Sequence, residues 1–254
     1  MDWGRILNYP QAAYAGESTV QKTQIVKQGM LTKLEQKRLK GIGKLTLFAV
    51  LQQASTRMIP VKDDEHNIQA IIVLRCQLRQ VTGLTELETM LHKCFPNPVI
   101  LLDEAPDGKV GLSTRIKRMS FAERGAVVME EYIGTGLFDA GNEAWAEFVH
   151  TIAYDEIPQD DLLVYMQAMA DRIRLSKSID SLGFYPHCPP ARAGDLLVLI
   201  KQFDEWQREI KTLDTERRSK DVSLAESSKI RVRMRTIEKT RDELANEIRG
   251  ICNV

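Results

Sequence analysis

Two stretches of this sequence repeat their apolar residues at steps of three and four. Leu196, Leu199, Phe203, Trp206, Ile210 and Leu213 form one series, and Ile230, Met234, Ile237, Arg241, Leu244, Ile248 and Ile251 form the other. An α-helix turns once every ~3.6 residues, so this spacing lines one face of each stretch with side chains that must be covered. The segment between them, R-R-S-K-D-V-S, is short and polar. Two seams joined in this way read as an antiparallel helical hairpin. Ser223, with Glu226 three residues on, is a capping box that opens the second helix. Residues 229–235, K-I-R-V-R-M-R, alternate basic and apolar and taken alone suggest a strand. The seam runs through them to Ile251, so they belong to a helix. There Lys229 and Arg233 stack four apart, as do Arg231 and Arg235, beside Ile230 and Met234. Arg241 is the charged member of the seam and is expected to fix register at some cost in stability.

The first half of the chain has a different period. Residues 44–51, K-L-T-L-F-A-V-L, and 68–78, I-Q-A-I-I-V-L-R-C-Q-L, are near-continuous apolar runs, as expected of central strands covered on both faces. V-I-L-L after Pro98, the alternating K-V-G-L-S-T-R-I-K after the A-P-D-G turn, and residues 126–133 supply further strands. Residues 28–40 and 84–94 are helix-compatible, the second with Thr85 and Glu88 as a capping box and Pro96 as its stop. Residues 1–17 read as an irregular arm. Beyond residue 140 the strand pattern ends. Trp145, Phe148, Val149 and Ile152 mark one helix, and Leu162, Met166, Met169 and Ile173 another. The fold class is therefore α+β: a mixed sheet body over residues 1–156, then a helical region over 157–254 that ends in the coiled-coil hairpin.

Thirty-five Lys and Arg balance thirty-five Asp and Glu. The chain as a whole has no electrostatic bias towards nucleic acid or membrane, so any such contact must be local. M-D-W-G-R-I-L-N-Y-P lacks the basic start and apolar run of a signal peptide, and Cys76, Cys94, Cys188 and Cys252 follow no paired spacing. The expectation is a cytoplasmic protein with reduced thiols.

Three local basic concentrations stand out. Lys229, Arg231, Arg233 and Arg235 lie on the hairpin; either they meet phosphates or an acidic partner, or they pair with Glu205, Glu209 or Glu216 across it. Lys22, Lys27 and Lys44 belong to a lysine-rich stretch, and Arg115, Lys117 and Arg118 end a strand; each reads first as a solvated surface charge, and if they converge on one face of the sheet they make a groove for phosphates. A restriction-type nuclease needs an acid followed by acid-x-Lys on the next strand, so that carboxylates hold Mg²⁺ beside a lysine. Asp103, Glu104, Asp107, Glu130 and Glu131 are the candidate acids, but no acid-x-Lys follows them, and Asp103 and Glu104 read as capping a strand above the D-G turn. His92 with Cys94, and His187 with Cys188, lack zinc-finger spacing. No P-loop, dinucleotide fingerprint, G-x-S-x-G or H-E-x-x-H is present. No catalytic residue, metal or cofactor is assigned.

Four segments carry a resemblance to a known family: V-Q-K-T-Q-I-V-K; I-G-K-L-T-L-F-A-V-L with A-S-T-R-M-I-P and I-Q-A-I-I-V-L-R-C-Q-L-R; F-P-N-P-V-I-L-L-D-E with the strand ending R-I-K-R; and K-D-V-S-L-A-E-S-S-K-I-R. Together the chain resembles the bacterial domain-of-unknown-function family four-three-nine-one. The resemblance implies a companion of a DNA helicase and a DNA methyltransferase in a restriction-like anti-phage defence system. It carries over no catalytic residue, but the family tends to place basic residues at Lys22, Lys27 and Lys117. The expected function is thus a non-catalytic accessory subunit. Its hairpin would dock a helicase, translocase or methyltransferase, with DNA as a further contact. The alternatives are a divergent metal-dependent nuclease using Asp103, Glu104 and Glu130, and homo-oligomerisation through the seams.

Overall fold

The computed structural model describes residues 1–119, 127–188, 192–219 and 222–252, and the chain forms two compact units, Met1–Lys177 and Ser178–Val254. The first contains α1 (Trp3–Leu7), β1 (Tyr14–Thr19), α2 (Lys22–Gly29), α3 (Lys33–Arg38), β2 (Ile42–Leu51), α4 (Gln53–Thr56), β3 (Val61–Lys62), β4 (Asn67–Ile68), β5 (Ile71–Leu78), α5 (Leu84–Cys94), β6 (Val99–Glu104), β7 (Val110–Met119), β8 (Val127–Gly134), α6 (Ala146–Thr151) and α7 (Leu162–Ser176). The second contains α8 (Ile179–Leu182), α9 (Ala193–Arg217) and α10 (Leu224–Cys252). A mixed α/β sheet body followed by C-terminal helices is the architecture read from the sequence.

Six strands of the body form one sheet in the order β1-β2-β5-β6-β7-β8. Neighbours are antiparallel except β5 and β6, which run parallel. A parallel pair needs a crossover, and α5 is that crossover. Its Leu87, Met90, Leu91 and Cys94 pack on Leu45, Leu74, Cys76, Val99 and Leu101 of the sheet. Val99, Ile100, Leu101, Leu102 and Asp103 are all buried. Successive strand residues point to opposite faces, so β6 is covered on both. On β7 and β8 the sheet also packs against α7, whose N-cap Asp161 accepts from the amides of Leu163 and Val164 at 2.8 Å each.

Four details depart from the sequence reading. Residues 1–17 are not an irregular arm: they contain α1, and Tyr14–Thr19 pairs with β2 as an edge strand. The helix expected over 28–40 is two helices broken at Met30, which adopts φ +45°. Thr32 and Glu35 form a complete capping box that starts α3 afresh. Helix α5 begins at Gly83 in the left-handed conformation, not at Thr85, and Glu88 is drawn into the interior instead of capping. The body was expected to close at residue 156, whereas the compact unit runs to Lys177, because α7 packs on the sheet.

In the second unit α9 and α10 pack as a hairpin. Phe203, Leu213, Leu244, Ile248 and Ile251 of the seam are buried, and Leu199, Trp206, Ile210, Ile230, Met234 and Ile237 are half-buried. Two helices alone cannot enclose their seam fully, so partial burial is the expected result. Ile200, outside the expected spacing, is buried as well. Arg241 reaches across to the Gln207 side chain at 3.2 Å and holds its neighbour Asp242 at 2.6 Å. The capping box at Ser223 and Glu226 forms, with the Ser223 amide and hydroxyl both donating to the Glu226 carboxylate.

Candidate functional site

The body buries a layer of polar side chains between α5 and the sheet. Glu88 and His92 lie four apart on α5, hence on one face of the helix. They meet Ser113 of β7 and Tyr132 of β8: the Tyr132 hydroxyl donates to Glu88 at 2.6 Å, and His92 Nε2 lies 3.0 Å from Ser113 Oγ. Asp103 of β6 is opposite Cys76 of β5 in the parallel register. Burial, then the nearby Glu88 carboxyl, pushes the Asp103 acid well above its ordinary range, and burial raises Glu88 too. Burial, then the Lys117 and Arg115 charges, lowers His92 to about 3, so its ring is neutral at physiological pH. His92 Nδ1 and both Asp103 carboxyl oxygens have no hydrogen-bond partner among the described residues. Glu88, His92, Asp103 and Ser113 are essentially without solvent contact.

This layer relocates the acids considered for a nuclease. Asp103 does not cap its strand but sits inside it. Glu104, the next residue, points to the other face and pairs with Arg75 at 2.9 Å. Glu130 on β8 lies 4.0 Å from Arg118. The structure does not gather Asp103, Glu104 and Glu130. Among the described residues, no group of three or more His, Cys, Asp and Glu is arranged to hold a metal ion. His92 and Cys94 are also turned to separate tasks, since the Cys94 thiol donates to the Met90 carbonyl at 3.1 Å. Sequence reasoning missed Glu88, His92, Ser113 and Tyr132 as a set. Its available signal was the Glu88–His92 spacing within the apolar stripe of α5.

The basic residues expected to touch DNA or a partner divide into two kinds. Several in the body are engaged with backbone. Lys22 Nζ donates to the Ile42 carbonyl at 2.6 Å. Arg115 Nε donates to the Glu130 carbonyl at 2.6 Å. Lys117, expected on the surface, is only 5% exposed and donates to the carbonyls of Phe95 and Asn97, the latter at 2.9 Å. Both carbonyls precede prolines, which have no N–H to offer α5's end. Lys27 and Lys44 are exposed, and Lys27 lines a groove of about 450 Å³ with Lys22, Lys40, Val26 and Leu39.

On the hairpin, Arg233 crosses from α10 to Glu209 of α9 at 2.6 Å. That is the cross-hairpin pairing the sequence allowed, at one position. Lys229, Arg231 and Arg235 are exposed and make no ion pair or hydrogen bond with a described residue. Val232, at 66% exposed, lies among them.

The model of one protein family, described as Domain of unknown function (DUF4391), matches residues 7–240. The chain belongs to this family. The DUF4391 span takes in the whole sheet, the buried polar layer and the exposed Lys229, Arg231 and Arg235, and it stops just before Arg241 in α10. No curated protein and no solved structure matches the chain. Among the described residues, no helix is long and apolar enough to cross a membrane.

Proposed function

We propose that this DUF4391 protein is a non-catalytic accessory subunit of a helicase- and methyltransferase-type anti-phage defence system. Its hairpin docks a DNA-translocating partner and brings basic residues close to DNA. One observation carries the reading. Lys229, Arg231 and Arg235 stand exposed on a rigid helix, while their neighbour Arg233 is spent on Glu209. An arginine already paired contributes little to a new contact, whereas an unpaired one on a helix can form charge-assisted bonds to carboxylates or phosphates. The exposed Val232 between them gives the same face an apolar anchor. The body supports an accessory role differently: Glu88 and Asp103 lie in a closed layer, while Glu104 and Glu130 face Arg75 and Arg118 elsewhere.

The test is capture of the tagged full chain from its native locus after nuclease treatment, with mass identification of what accompanies it. A helicase or methyltransferase that survives nuclease supports a subunit held by protein contacts. A chain that comes down alone removes the proposal.

A further inference from the structure

Lys117 raises a problem that its two backbone partners do not solve. A lysine is seldom buried without a carboxylate beside it, because an ammonium loses its hydration there. Lys117 is 95% removed from solvent, and its acceptors among the described residues are neutral carbonyls. An ammonium has three donors, so one N–H is left over. The side chain also lines a cavity of about 580 Å³. Lys93 and Gln28 are the other polar long-chain residues of that cavity, and Phe95, Pro96 and Met129 give it apolar walls. Among the described residues, no acidic one lines it.

Among the described residues, the titratable groups around Lys117 do not compensate its charge. From α5, Cys94 is raised to about 11 by burial and is a neutral thiol, and His92 is a neutral ring. Arg115 on the same strand adds positive charge. The Glu35 carboxylate, beside Lys93, is held by Thr32 and by Lys93 at 3.3 Å. Burial, with Arg115 adding to it, lowers Lys117 to about 8. Any buried ammonium responds to lost hydration in this way.

From this geometry we infer that the cavity between α2, the end of α5 and β7 is a binding site for a phosphate-bearing ligand. The anion lies against Lys117 and draws Lys93 from its 3.3 Å pair with Glu35, Gln28 offers its amide, and the rest of the ligand rests on Phe95, Pro96 and Met129. The phosphate comes either from a free small molecule, such as a nucleotide, or from the phosphorylated end of a nucleic-acid strand. The site lies wholly in the sheet-bearing unit and stands or falls independently of the hairpin.

Inorganic sulfate is the first probe, because its charge does not change between pH 7 and 9. Added to the full chain, it raises the midpoint of the Lys117 titration, followed by NMR at the side-chain methylene next to the amine. Its affinity weakens about tenfold from pH 7 to 9, as the protonated fraction of a group with a pKa of about 8 falls. Lys117→Gln abolishes the response. Because that change also removes donors to two carbonyls, Lys93→Gln at the rim serves as the second variant, expected to weaken binding several-fold with the fold intact. A 5′-phosphorylated oligonucleotide that binds more tightly than its 5′-hydroxyl twin assigns the site to strand ends; equal binding, with the sulfate response retained, assigns it to a free phosphorylated molecule. Sulfate that leaves the Lys117 midpoint unmoved, or that acts equally on the Lys93→Gln variant, overturns the inference.

Discussion

The body and the hairpin use basic residues in opposite ways. In the body, Lys22, Arg115 and Lys117 satisfy carbonyls of the backbone they pack against. In the hairpin, Lys229, Arg231 and Arg235 stand clear of other described residues. The difference follows from architecture. A six-stranded sheet packed with helices offers backbone carbonyls at its strands and turns, and Lys22, Arg115 and the buried Lys117 complete hydrogen bonds to them, while Lys27 and Lys44 stay exposed. A two-helix hairpin has one narrow seam and no further interior, so most of its charges face water. A basic residue in the sequence therefore means different things in the two units, and local charge density cannot tell them apart.

The contrast can be broken first at the core. Leu101→Ala, in the doubly covered strand β6, is expected to cost about 2–5 kcal/mol in urea unfolding. Ile237→Ala in the half-buried seam should cost clearly less, and equal losses would mean that the hairpin is packed as tightly as the sheet. Next, Tyr132→Phe removes the hydroxyl that donates to the buried Glu88. The expected loss is about 1–3 kcal/mol, measured the same way, because Glu88 keeps its burial and loses its donor.

The pH dependence follows from His92. Its pKa falls from 6.5 to about 3 on folding. The unfolded chain then binds the proton more readily than the native one, so this group's contribution is complete above about pH 6.5 and is lost as pH drops towards 3. Asp103 and Glu88, which burial raises, act in the opposite direction over this range, so the share of His92 is read by difference: from pH 7 to 4 the urea midpoint of His92→Gln should gain on that of the unaltered chain. A slope unchanged in the variant would show that other groups carry the acid sensitivity. The smallest stability effect is expected at the surface. Arg233→Ala breaks the Glu209 pair in solvent and should cost less than ~1 kcal/mol.

The hairpin was legible in the sequence because a heptad seam is local: Leu213, Leu244 and Ile248 needed no knowledge of distant residues. Strands β2, β5, β6, β7 and β8 were legible for a similar reason, as apolar runs bounded by turns. The order of those strands was not, since it depends on which distant segments pair. The buried layer shows this most clearly. Glu88 satisfied the spacing of a capping box, yet α5 started earlier, at Gly83, and the carboxyl turned inward to Tyr132, forty-four residues away in sequence. Asp103 looked like a turn residue because an acid is seldom placed inside a strand; only the neighbouring Glu88 and Cys76, from other elements, explain how it is accommodated. Lys117 read as a surface charge because nothing near it in sequence reveals Phe95 and Asn97. The break at Met30 could have been read, since T-K-L-E at Thr32 is itself a capping box.

We propose that the exposed basic face of α10 is for contact and not for folding. It is tested most directly by charge reversal, Arg231→Glu with Arg235→Glu, in the nuclease-treated capture from the native locus, with the thermal midpoint measured on the same preparation. The account predicts a midpoint within the change expected of surface substitutions, about 0.5 kcal/mol, and loss of the co-purifying partner. Partner recovery equal to that of the unaltered chain, with the fold intact, would contradict it.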